Sequence, residues 1–439
     1  MMKVQQKGAL SAFGGINFVF DFLKTNKINS LISSTFPTIA NQSKYGWEDI
    51  INSLLSIYLC GGDCIEDLQT HLKGHFINNP YVKIPSPDTV LKRLKELAVA
   101  NRTCHTKRGT VKHVYNNNIL MNQLNISLLK QQGVFNQKDL TLDYDNTIIF
   151  NEKSDSKMTY KRNPGYQPGV CTIDEDFVLF LEGRNGNSDA KSFQHETLMR
   201  MFDLLKQNQI NEIKHMRADA ASYQYEVVKL LDQKVKNFYV GCRNSYISKY
   251  FTQIEHWEDM IDTSNELIQI GEIYFTPFVQ QAEKVKDTPK QYRLIVKRKL
   301  RPNNQLDLFT GDHYEYRAIL TNNTVFSTAD VVRFYNQRGN MERQFDVLKN
   351  DFGWSRMAFS TLDYNTVFLG ITAFIKNLYV FIIQHFSQFT KSLTPTDRVK
   401  KFLFRFVILP SKWIKHSRQM ILKIFSGTDR YSILINNTS

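Results

Sequence analysis

At residue 139 the spacing of apolar residues changes from a helical repeat to strict alternation. Leu140, Leu142 and Tyr144 fall on one side of the strand predicted here. Asp143 and Asp145 fall on the other side, because successive side chains of a strand point to opposite faces. The chain must therefore build a sheet around a strand that carries two carboxylates on one face.

The segments that follow this strand are predicted in the order expected of a mixed sheet. Strands are predicted at residues 178–181, 212–217 and 237–240, with helices at 190–207 and 223–234 between them. Antiparallel strands followed by strand–helix alternation are typical of a mixed α/β sheet. We therefore predict an α/β core.

Different patterns on either side of this core divide the chain into predicted parts. They are a helical region at 1–100, a basic helical connector at 101–138, the first part of the core at 139–249, a β-rich insertion at 250–326, the second part of the core with a long helix at 327–390, and a basic C-terminal region at 391–439. The basic C-terminal region suits phosphate contacts, and a basic amphipathic cap over the core is an equal alternative.

The insertion and the connector are predicted from shorter signals. In the insertion, strands are expected at residues 273–278, 291–298 and 314–320, separated by polar turns such as 302–304 and 310–312. The connector is polar and basic, with Lys107 and Arg108, and leads into a helix near residues 117–132.

The composition indicates a soluble protein with an anionic partner. The 439 residues are 42% hydrophobic and 22% charged, which allows two or three domains and a sizeable core. The formal charge of +14 favours nucleic acid as the partner, and an excess of lysine for solubility is the alternative. The five cysteines lack the paired spacing of a zinc site, which favours reduced thiols in the cytoplasm. No sustained apolar segment opens the chain, and Lys376 interrupts its most apolar window, so that window is predicted to be a core helix rather than a membrane span.

The N-terminal region ends in a basic helix with a clear start. Ser86 is suited to cap it and Pro87 to occupy its first position. Lys92 and Arg93 are predicted to be exposed on this helix. A helix, a turn and a basic helix form a candidate DNA-reading module, although short basic helices also occur on ordinary surfaces.

A polar stripe lies on the long helix predicted at residues 328–351. Ser327 followed by Asp330 has the form of a capping box at its start. Tyr335, Arg338, Glu342 and Lys349 fall within a wedge of roughly 60° on a regular helix. A surface ladder of ion pairs would explain such a stripe equally well.

The spacing of this stripe resembles a signature of DDE transposases, the enzymes of bacterial insertion sequences. The signature is Tyr, two residues, Arg, three residues, Glu, six residues and Lys, and the set with the greatest similarity is DDE group one. The resemblance implies a ribonuclease-H-like core and makes Glu342 the third metal-binding carboxylate. It also implies that Tyr335, Arg338 and Lys349 lie near DNA phosphates. Asp346, one turn after Glu342, is a second carboxylate on the same stripe.

Two aspartates on strands should complete the metal site. For the first, Asp145 is favoured over Asp143, since Asp145-Asn146-Thr147 resembles the Asp-x-Thr of relatives. For the second, Asp219 lies where a strand should end, at the carboxyl edge where ligands collect in α/β sheets. The preceding Arg217 is expected near DNA because Arg217-Ala218-Asp219 resembles the family's Arg-x-Asp segment. Alternatively, Asp219 only caps the next helix.

The resemblance implies a cut-and-paste DNA transposase. It would bind double-stranded DNA at terminal inverted repeats and at a target, as a homodimer on paired ends, using two Mg²⁺ ions or Mn²⁺ as a substitute. Trp257 would stack on a base flipped out of the duplex, or is a core residue. A metal-dependent nuclease on the same fold and a catalytically lapsed DNA-binding derivative are the rival hypotheses.

Overall fold

The structure of the protein is a computed structural model that describes residues 10–40, 42–105, 112–263, 265–301, 306 and 311–426. The strands in chain order are β1 Arg102–His105, β2 Lys112–Asn116, β3 Thr141–Asn146, β4 Ile149–Phe150, β5 Lys157–Met158, β6 Pro164–Tyr166, β7 Gly169–Ile173, β8 Phe177–Arg184, β9 His215–Ala218, β10 Asn237–Gly241, β11 Glu258–Ile261, β12 Leu267–Phe275, β13 Tyr292–Leu300, β14 Tyr314–Thr321, β15 Ser411–His416 and β16 Gln419–Ile424. The α-helices are α1 Ile16–Thr25, α2 Ile28–Thr35, α3 Trp47–Leu59, α4 Pro87–Lys95, α5 Ile119–Gln131, α6 Gln194–Gln207, α7 Tyr225–Lys234, α8 Asn244–Ile247, α9 Val279–Lys284, α10 Thr328–Asn336, α11 Asn340–Asp351, α12 Leu362–Ser387 and α13 Val399–Phe402.

A large sheet organises the described residues. Eleven strands form it, in the order β1-β2-β8-β7-β3-β9-β10-β14-β13-β12-β11. The pairs β3–β9 and β9–β10 are parallel, and the other neighbours are antiparallel. The predicted mixed α/β sheet is confirmed.

Helices pack on both faces of this sheet. Alternate residues of β10 belong to different hydrophobic cores, as the pleat of a strand requires. Phe238 and Val240 pack in the core that contains α6 and α7. Tyr239 packs on the other face with Val331 and Val332 of α10. The sheet is therefore the middle layer between two layers of helices.

The strands that carry the predicted aspartates lie at the centre of the sheet. β3, β9 and β10 are neighbours, and β9 and β10 agree with the predicted strands to within a few residues. α6 and α7 lie where helices were predicted. The neighbouring β7 was not predicted, because all five of its residues are buried and it shows no alternation of polar and apolar residues.

The insertion extends the same sheet. β14 pairs with β10, so β14, β13, β12 and β11 continue the core from one strand to the next. The three predicted strands are present, although β12 begins earlier, at Leu267, and the helix α9 was not predicted. The predicted turn at residues 302–304 lies outside the described residues, and the turn at 310–312 lies partly outside them.

The N-terminal and C-terminal regions pack together. α1 to α4 share a hydrophobic core with α12 and α13. The backbone of Gly14 donates a hydrogen bond to Leu409 (2.7 Å), and that of Gly15 donates one to Val407 (3.1 Å). A Cβ on Gly15 would lie 2.1 Å from the carbonyl oxygen of Phe406, so only glycine allows the two ends to approach this closely.

The connector contains strands as well as the predicted helix. α5 lies where a helix was predicted, but β1 and β2 precede it and join the sheet through β8. These two short polar strands were not predicted. They pair with each other, and β2 also pairs with β8, so they depend on partners as well as on local sequence. Lys107 and Arg108 lie outside the described residues.

The long apolar helix α12 is a core element. It is long and apolar enough to cross a membrane, but 89% of its most apolar window is buried inside the protein. The buried amide of Asn377 is hydrogen-bonded to the backbone of Val178 on β8. α12 therefore packs against the central sheet.

The helix predicted at residues 328–351 begins and ends where expected, at Thr328 and Asp351. The Ser327 hydroxyl caps its start by accepting a hydrogen bond from the backbone of Asp330 (3.2 Å). Within it, the 3₁₀ turn Gln337–Gly339 interrupts the α-helical hydrogen bonds between α10 and α11, while the backbone stays in the right-handed helical region. The turn was not predicted. Arg217 contacts the end of α10, where its Nη1 atom donates to the carbonyl oxygen of Phe334 (2.8 Å).

Candidate active site

Two aspartates meet at the carboxyl ends of adjacent parallel strands. In the β3–β9 ladder, Tyr144 lies opposite Ala218, so Asp145 and Asp219 are the next residues along each strand. The Oδ1 atom of Asp145 accepts a hydrogen bond from the backbone of Asn146 (2.7 Å). That of Asp219 accepts one from the backbone of Ala221 (3.0 Å), so Asp219 also caps the turn that follows. Each carboxylate is thus oriented by the backbone next to it.

The acidic side chains are electrostatically coupled. Burial and the nearby charge of Asp219 raise the pKa of Asp145 to about 7, and Glu342 contributes in the same direction. Burial also raises the pKa of Asp219. Arg338 opposes these shifts, since its Nη1 atom lies 3.2 Å from Asp145 Oδ2. The cluster therefore carries more negative charge than Arg338 alone neutralises.

Glu342 reaches this cluster from α11. It lies in the first turn of that helix and is exposed. Asp346 points elsewhere, because its carboxylate pairs with Arg398 (2.6 Å) and accepts a hydrogen bond from Asn350 (2.6 Å). The contacts thus favour Glu342 over Asp346 as the third carboxylate.

The ligand atoms of Asp145, Asp219 and Glu342 do not all lie within 4.8 Å of one another. In the part of the chain that the structure describes, the side chains of Asp63, Cys64 and Asp67 are the one group of three whose ligand atoms all lie within 4.8 Å of one another. That group is explained without a metal ion, because Asp67 Oδ2 accepts hydrogen bonds from the backbones of Asp63 (2.8 Å) and Cys64 (3.2 Å) in a turn.

All five thiols of the chain are free, as predicted.

Asp143 and Arg217 form a buried pair beneath the cluster. Arg217 Nε and Nη2 donate to the two oxygens of Asp143 at 2.7 and 2.6 Å, and both side chains are 1% exposed. Both oxygens of Asp143 are therefore engaged, which favours Asp145 as the first carboxylate. The predicted DNA contact of Arg217 is not possible in this arrangement, because the guanidinium is buried between the sheet and α10.

Tyr335 and Lys349, the remaining residues of the predicted stripe, differ in their surroundings. The Tyr335 hydroxyl donates to the backbone oxygen of Ala218 (3.2 Å), so it supports the strand end before Asp219. Gly241 lies beside this hydroxyl, and a Cβ there would be 2.5 Å from it. Lys349 is half-buried, and burial lowers its pKa.

A basic cavity of about 990 Å³ opens beside Asp219, Tyr335 and Arg338. Its further basic lining residues are Arg243, Lys297, Arg301 and Arg317. Lys297 lies directly opposite Arg317 in the β13–β14 ladder. Sequence reasoning missed these residues because they come from separate strands. Their signal was the recurrence of basic residues at alternate positions, such as 297 and 299, in a predicted strand.

Of the remaining predicted DNA contacts, Trp257 and Arg93 have protein partners. The guanidinium of Arg298 lies 3.8 Å from the centre of the Trp257 ring, and the indole nitrogen donates to the carbonyl of Ile254 (3.2 Å). One face of Trp257 is thus covered. On α4, Lys92 is exposed, while Arg93 pairs with Glu96 at 2.8 Å.

Comparisons with known proteins place the chain in a family. Among solved structures, the piggyBac transposase synaptic complex with hairpin DNA has a TM-score of 0.41 and 11% sequence identity, covering 90% of this chain and 79% of that chain. The Mos1 transposase paired-end complex with left transposon end has a TM-score of 0.16 and 14% identity, covering 50% of this chain and 76% of that chain. No curated protein matches. The profile of the family described as transposase DDE domain group 1 matches residues 2–436, almost the entire chain. The chain therefore belongs to the transposase DDE domain group 1 family.

Proposed function

We propose that this transposase works by cut and paste, binding the terminal inverted repeats of its own element and cleaving and joining DNA strands at Asp145, Asp219 and Glu342. The observation that carries the proposal is the convergence of these three carboxylates from β3, from the end of β9 and from α11. Repulsion among the three ionised carboxylates destabilises the protein when no metal is bound. Bound cations would neutralise this charge, so the cluster favours metal binding.

The strand order supports a ribonuclease-H-like core. The core strands in chain order are β3, β7, β8, β9 and β10, and they lie in the sheet as third, second, first, fourth and fifth. The first three are antiparallel, and the last two run parallel to β3. This topology brings the carboxyl ends of β3 and β9 together, which is where Asp145 and Asp219 lie.

Divalent metal ions fit this set of donors. Carboxylate oxygens are the ligands that Mg²⁺ prefers, and the ion pair with Arg338 shows that Asp145 already accepts a cation. Three carboxylates suffice to hold a pair of such ions, which in two-metal sites lie about 3.5–4 Å apart. We expect Asp145, Asp219 and Glu342 to hold two Mg²⁺ ions, with Mn²⁺ as a substitute. Such ions supply activation of the attacking hydroxyl and neutralisation of charge on the phosphate.

The residues of the chain orient the substrate around these carboxylates. Arg338 is placed to exchange its contact with Asp145 for a DNA phosphate, to which a guanidinium can donate two hydrogen bonds. Lys297 and Arg317 face each other across two strands of the cavity wall, where Arg317 pairs with Glu315 (3.2 Å) and Lys297 donates to Asn336 (3.0 Å). The basic residues of the lining, Arg243, Lys297, Arg301, Arg317 and Arg338, outnumber its acidic residues, Asp219 and Glu315, and such an excess attracts anions. We therefore assign the cavity to the DNA backbone. We also propose that Lys349, near the C-terminal end of α11, contacts a DNA phosphate.

A second basic surface lies on the C-terminal hairpin β15–β16. Lys412 and Lys423 are directly opposite each other on it and both are exposed. In contrast, Phe402 and Phe406 are buried in the core, so the helical part of this region is the amphipathic cap considered above. We propose that the hairpin and the exposed Lys92 of α4 contact DNA outside the cleaved position.

Joining two element ends requires that both be held at once. We therefore propose a homodimer on paired ends of double-stranded DNA, acting in the bacterial cytoplasm. A nuclease that cuts without joining is separated from a transposase by a strand-transfer assay with pre-cleaved ends.

The direct test uses purified protein and a labelled element end, with Mg²⁺ or Ca²⁺, resolved on a denaturing gel. Asp145→Ala, Asp219→Ala and Glu342→Ala should each abolish cleavage in Mg²⁺ while DNA binding in a gel-shift assay is retained. Asp346→Asn is the matched control, because it changes a carboxylate one turn along the same helix and should leave cleavage unchanged. A Glu342→Ala protein that cleaves at the normal rate would overturn the assignment.

A further inference from the structure

We propose that Arg217 is a positioning residue that holds the three candidate metal-binding carboxylates in register with one another. The inference rests on the proposed function, because it concerns the same three side chains. Its starting point is that Arg217 is 0% exposed and lies two residues before Asp219 on the same face of β9.

The first connection joins the two central strands. Arg217 lies opposite Asp143 in the parallel β3–β9 ladder, and the two side chains form a bidentate pair. Asp143 is also two residues before the carboxylate it supports, Asp145, and on the same face. The ion pair therefore lies one step behind Asp145 and Asp219 and links side chains of the two strands that carry them.

The second connection reaches the helix that precedes Glu342. Arg217 Nη1 donates to the carbonyl oxygen of Phe334 (2.8 Å) and to Gln337 Oε1 (3.0 Å), and the guanidinium lies 4.8 Å from the centre of the Phe334 ring. These contacts hold the end of α10, where a cation complements the helix dipole. The next residue after Gln337 is Arg338.

The third connection passes through a turn to the start of α11. Arg217 Nη2 donates to Glu175 Oε1 (3.0 Å) in the β7–β8 turn. The other carboxylate oxygen of Glu175 accepts a hydrogen bond from the side chain of Asn340, the first residue of α11. Glu342 follows two residues later. Both sides of the 3₁₀ turn between α10 and α11 are therefore tied to Arg217.

This role is specific to arginine. A guanidinium has five N–H donors, and all five of those on Arg217 are used, for Asp143 twice, Glu175, Phe334 and Gln337. A lysine at this position could neutralise Asp143 but offers three donors from one point. Since buried ion pairs add little net stability compared with apolar packing, we assign the network to geometry rather than to stability.

The test compares Arg217→Lys with Arg200→Lys. Arg200 is a matched control because it also makes a bidentate pair with a buried carboxylate, Glu182, at 2.7 and 3.1 Å. Its other contacts within the described part of the chain, with Thr197 and Tyr115, lie outside α10 and α11. Mn²⁺ affinity is measured by electron paramagnetic resonance without DNA, and strand cleavage is measured as a function of Mg²⁺ concentration. Thermal unfolding and a gel shift report folding and DNA binding.

We expect Arg217→Lys to weaken Mn²⁺ binding by about 10–100-fold and to raise the Mg²⁺ concentration needed for cleavage, as loss of outer-shell support of a metal site typically does. DNA binding and the control variant should be unaffected. If Asp145→Ala abolishes cleavage while Arg217→Lys matches the wild type in Mn²⁺ affinity and rate, the positioning role is wrong and the proposed function stands. If Asp145→Ala still cleaves, the proposed function itself fails.

A second variant covers the case in which Arg217→Lys unfolds. Glu175→Ala combined with Gln337→Leu removes contacts to both sides of the 3₁₀ turn and leaves the buried pair with Asp143 intact. Gln337 is exposed and the Glu175 side chain is 31% exposed, so the fold should tolerate the changes. Weaker Mn²⁺ binding at an unchanged melting temperature would support the role, and unchanged Mn²⁺ binding would overturn it.

Discussion

Replacing Asp145 by Asn should stabilise the metal-free protein above neutral pH. In the folded chain, burial and the charge of Asp219 raise the pKa of Asp145 from its ordinary 3.8 to about 7. Asparagine has nearly the shape of the protonated acid and never takes the charge. The substitution therefore removes the repulsion that the folded state suffers when Asp145 is ionised.

The magnitude follows from the shift. Each pKa unit corresponds to about 1.4 kcal/mol, so ionising Asp145 costs the folded state up to about 4 kcal/mol. The folded state binds the proton more tightly than the unfolded chain, so stability falls as pH rises from about 4 to about 7 and then levels off. Arg338 attracts only the ionised form of Asp145, and the net rise of the pKa to about 7 already includes this attraction. Allowing for relaxation around the site, we expect Asp145→Asn to gain about 2–4 kcal/mol at pH 8 and almost nothing near pH 4.

The assay is thermal unfolding in a chelating buffer at several pH values. With about 2.1 cal/mol/K of unfolding entropy per residue over 439 residues, the gain corresponds to a melting temperature about 2–4 °C higher at pH 8. Mg²⁺ should stabilise the wild type at pH 8 and Asp145→Asn far less, because ligand binding to the folded state alone shifts the equilibrium. Asp346→Asn is the control. A shift that is equal at pH 4 and pH 8, or a loss of stability at pH 8, would refute the reasoning.

Three further predictions concern Gly241 and Arg338 near the three carboxylates and the basic residues of the C-terminal hairpin. Gly241→Ala should destabilise the fold by about 1–3 kcal/mol in urea unfolding, because the new methyl group would lie 2.5 Å from the Tyr335 hydroxyl, and combining it with Tyr335→Phe should restore part of the loss. Arg338→Ala should bind Mn²⁺ more tightly in calorimetry without DNA, because the guanidinium that competes for Asp145 is removed. The same variant should cleave DNA more slowly, because the proposed phosphate contact is lost. Weaker Mn²⁺ binding would contradict the proposed competition between Arg338 and the metal ion. Lys412→Gln and Lys423→Gln should each reduce the slope of log affinity against log salt for DNA binding by about 1, and an unchanged slope would remove the hairpin from the interface.

Much of the local structure could be predicted because its causes are local. The hydroxyl of Ser327 caps α10, and Ser86 with Pro87 starts α4, as their residue types indicate. The alternation around Asp145 predicts a strand because side-chain direction in a strand depends only on position. β7 could not be predicted in this way, because it is buried on both faces and lacks the alternation. The short polar strands β1 and β2 pair with each other, and β2 pairs with β8, so their position in the sheet is not readable from local sequence.

By itself, the sequence determined the element types at the centre of the fold, the two strands that end in aspartates, and the spacing of Tyr335, Arg338, Glu342 and Lys349. These follow from periodicity and capping, which act over a few residues. Only the tertiary structure decided that a 3₁₀ turn lies within the long helix, that Asp143 is tied to Arg217 and unavailable as a surface ligand, and that the insertion lines the cavity beside Asp219. Those outcomes depend on the five hydrogen bonds of one buried guanidinium and on pairing between distant strands, and neither is encoded in the spacing of neighbouring residues.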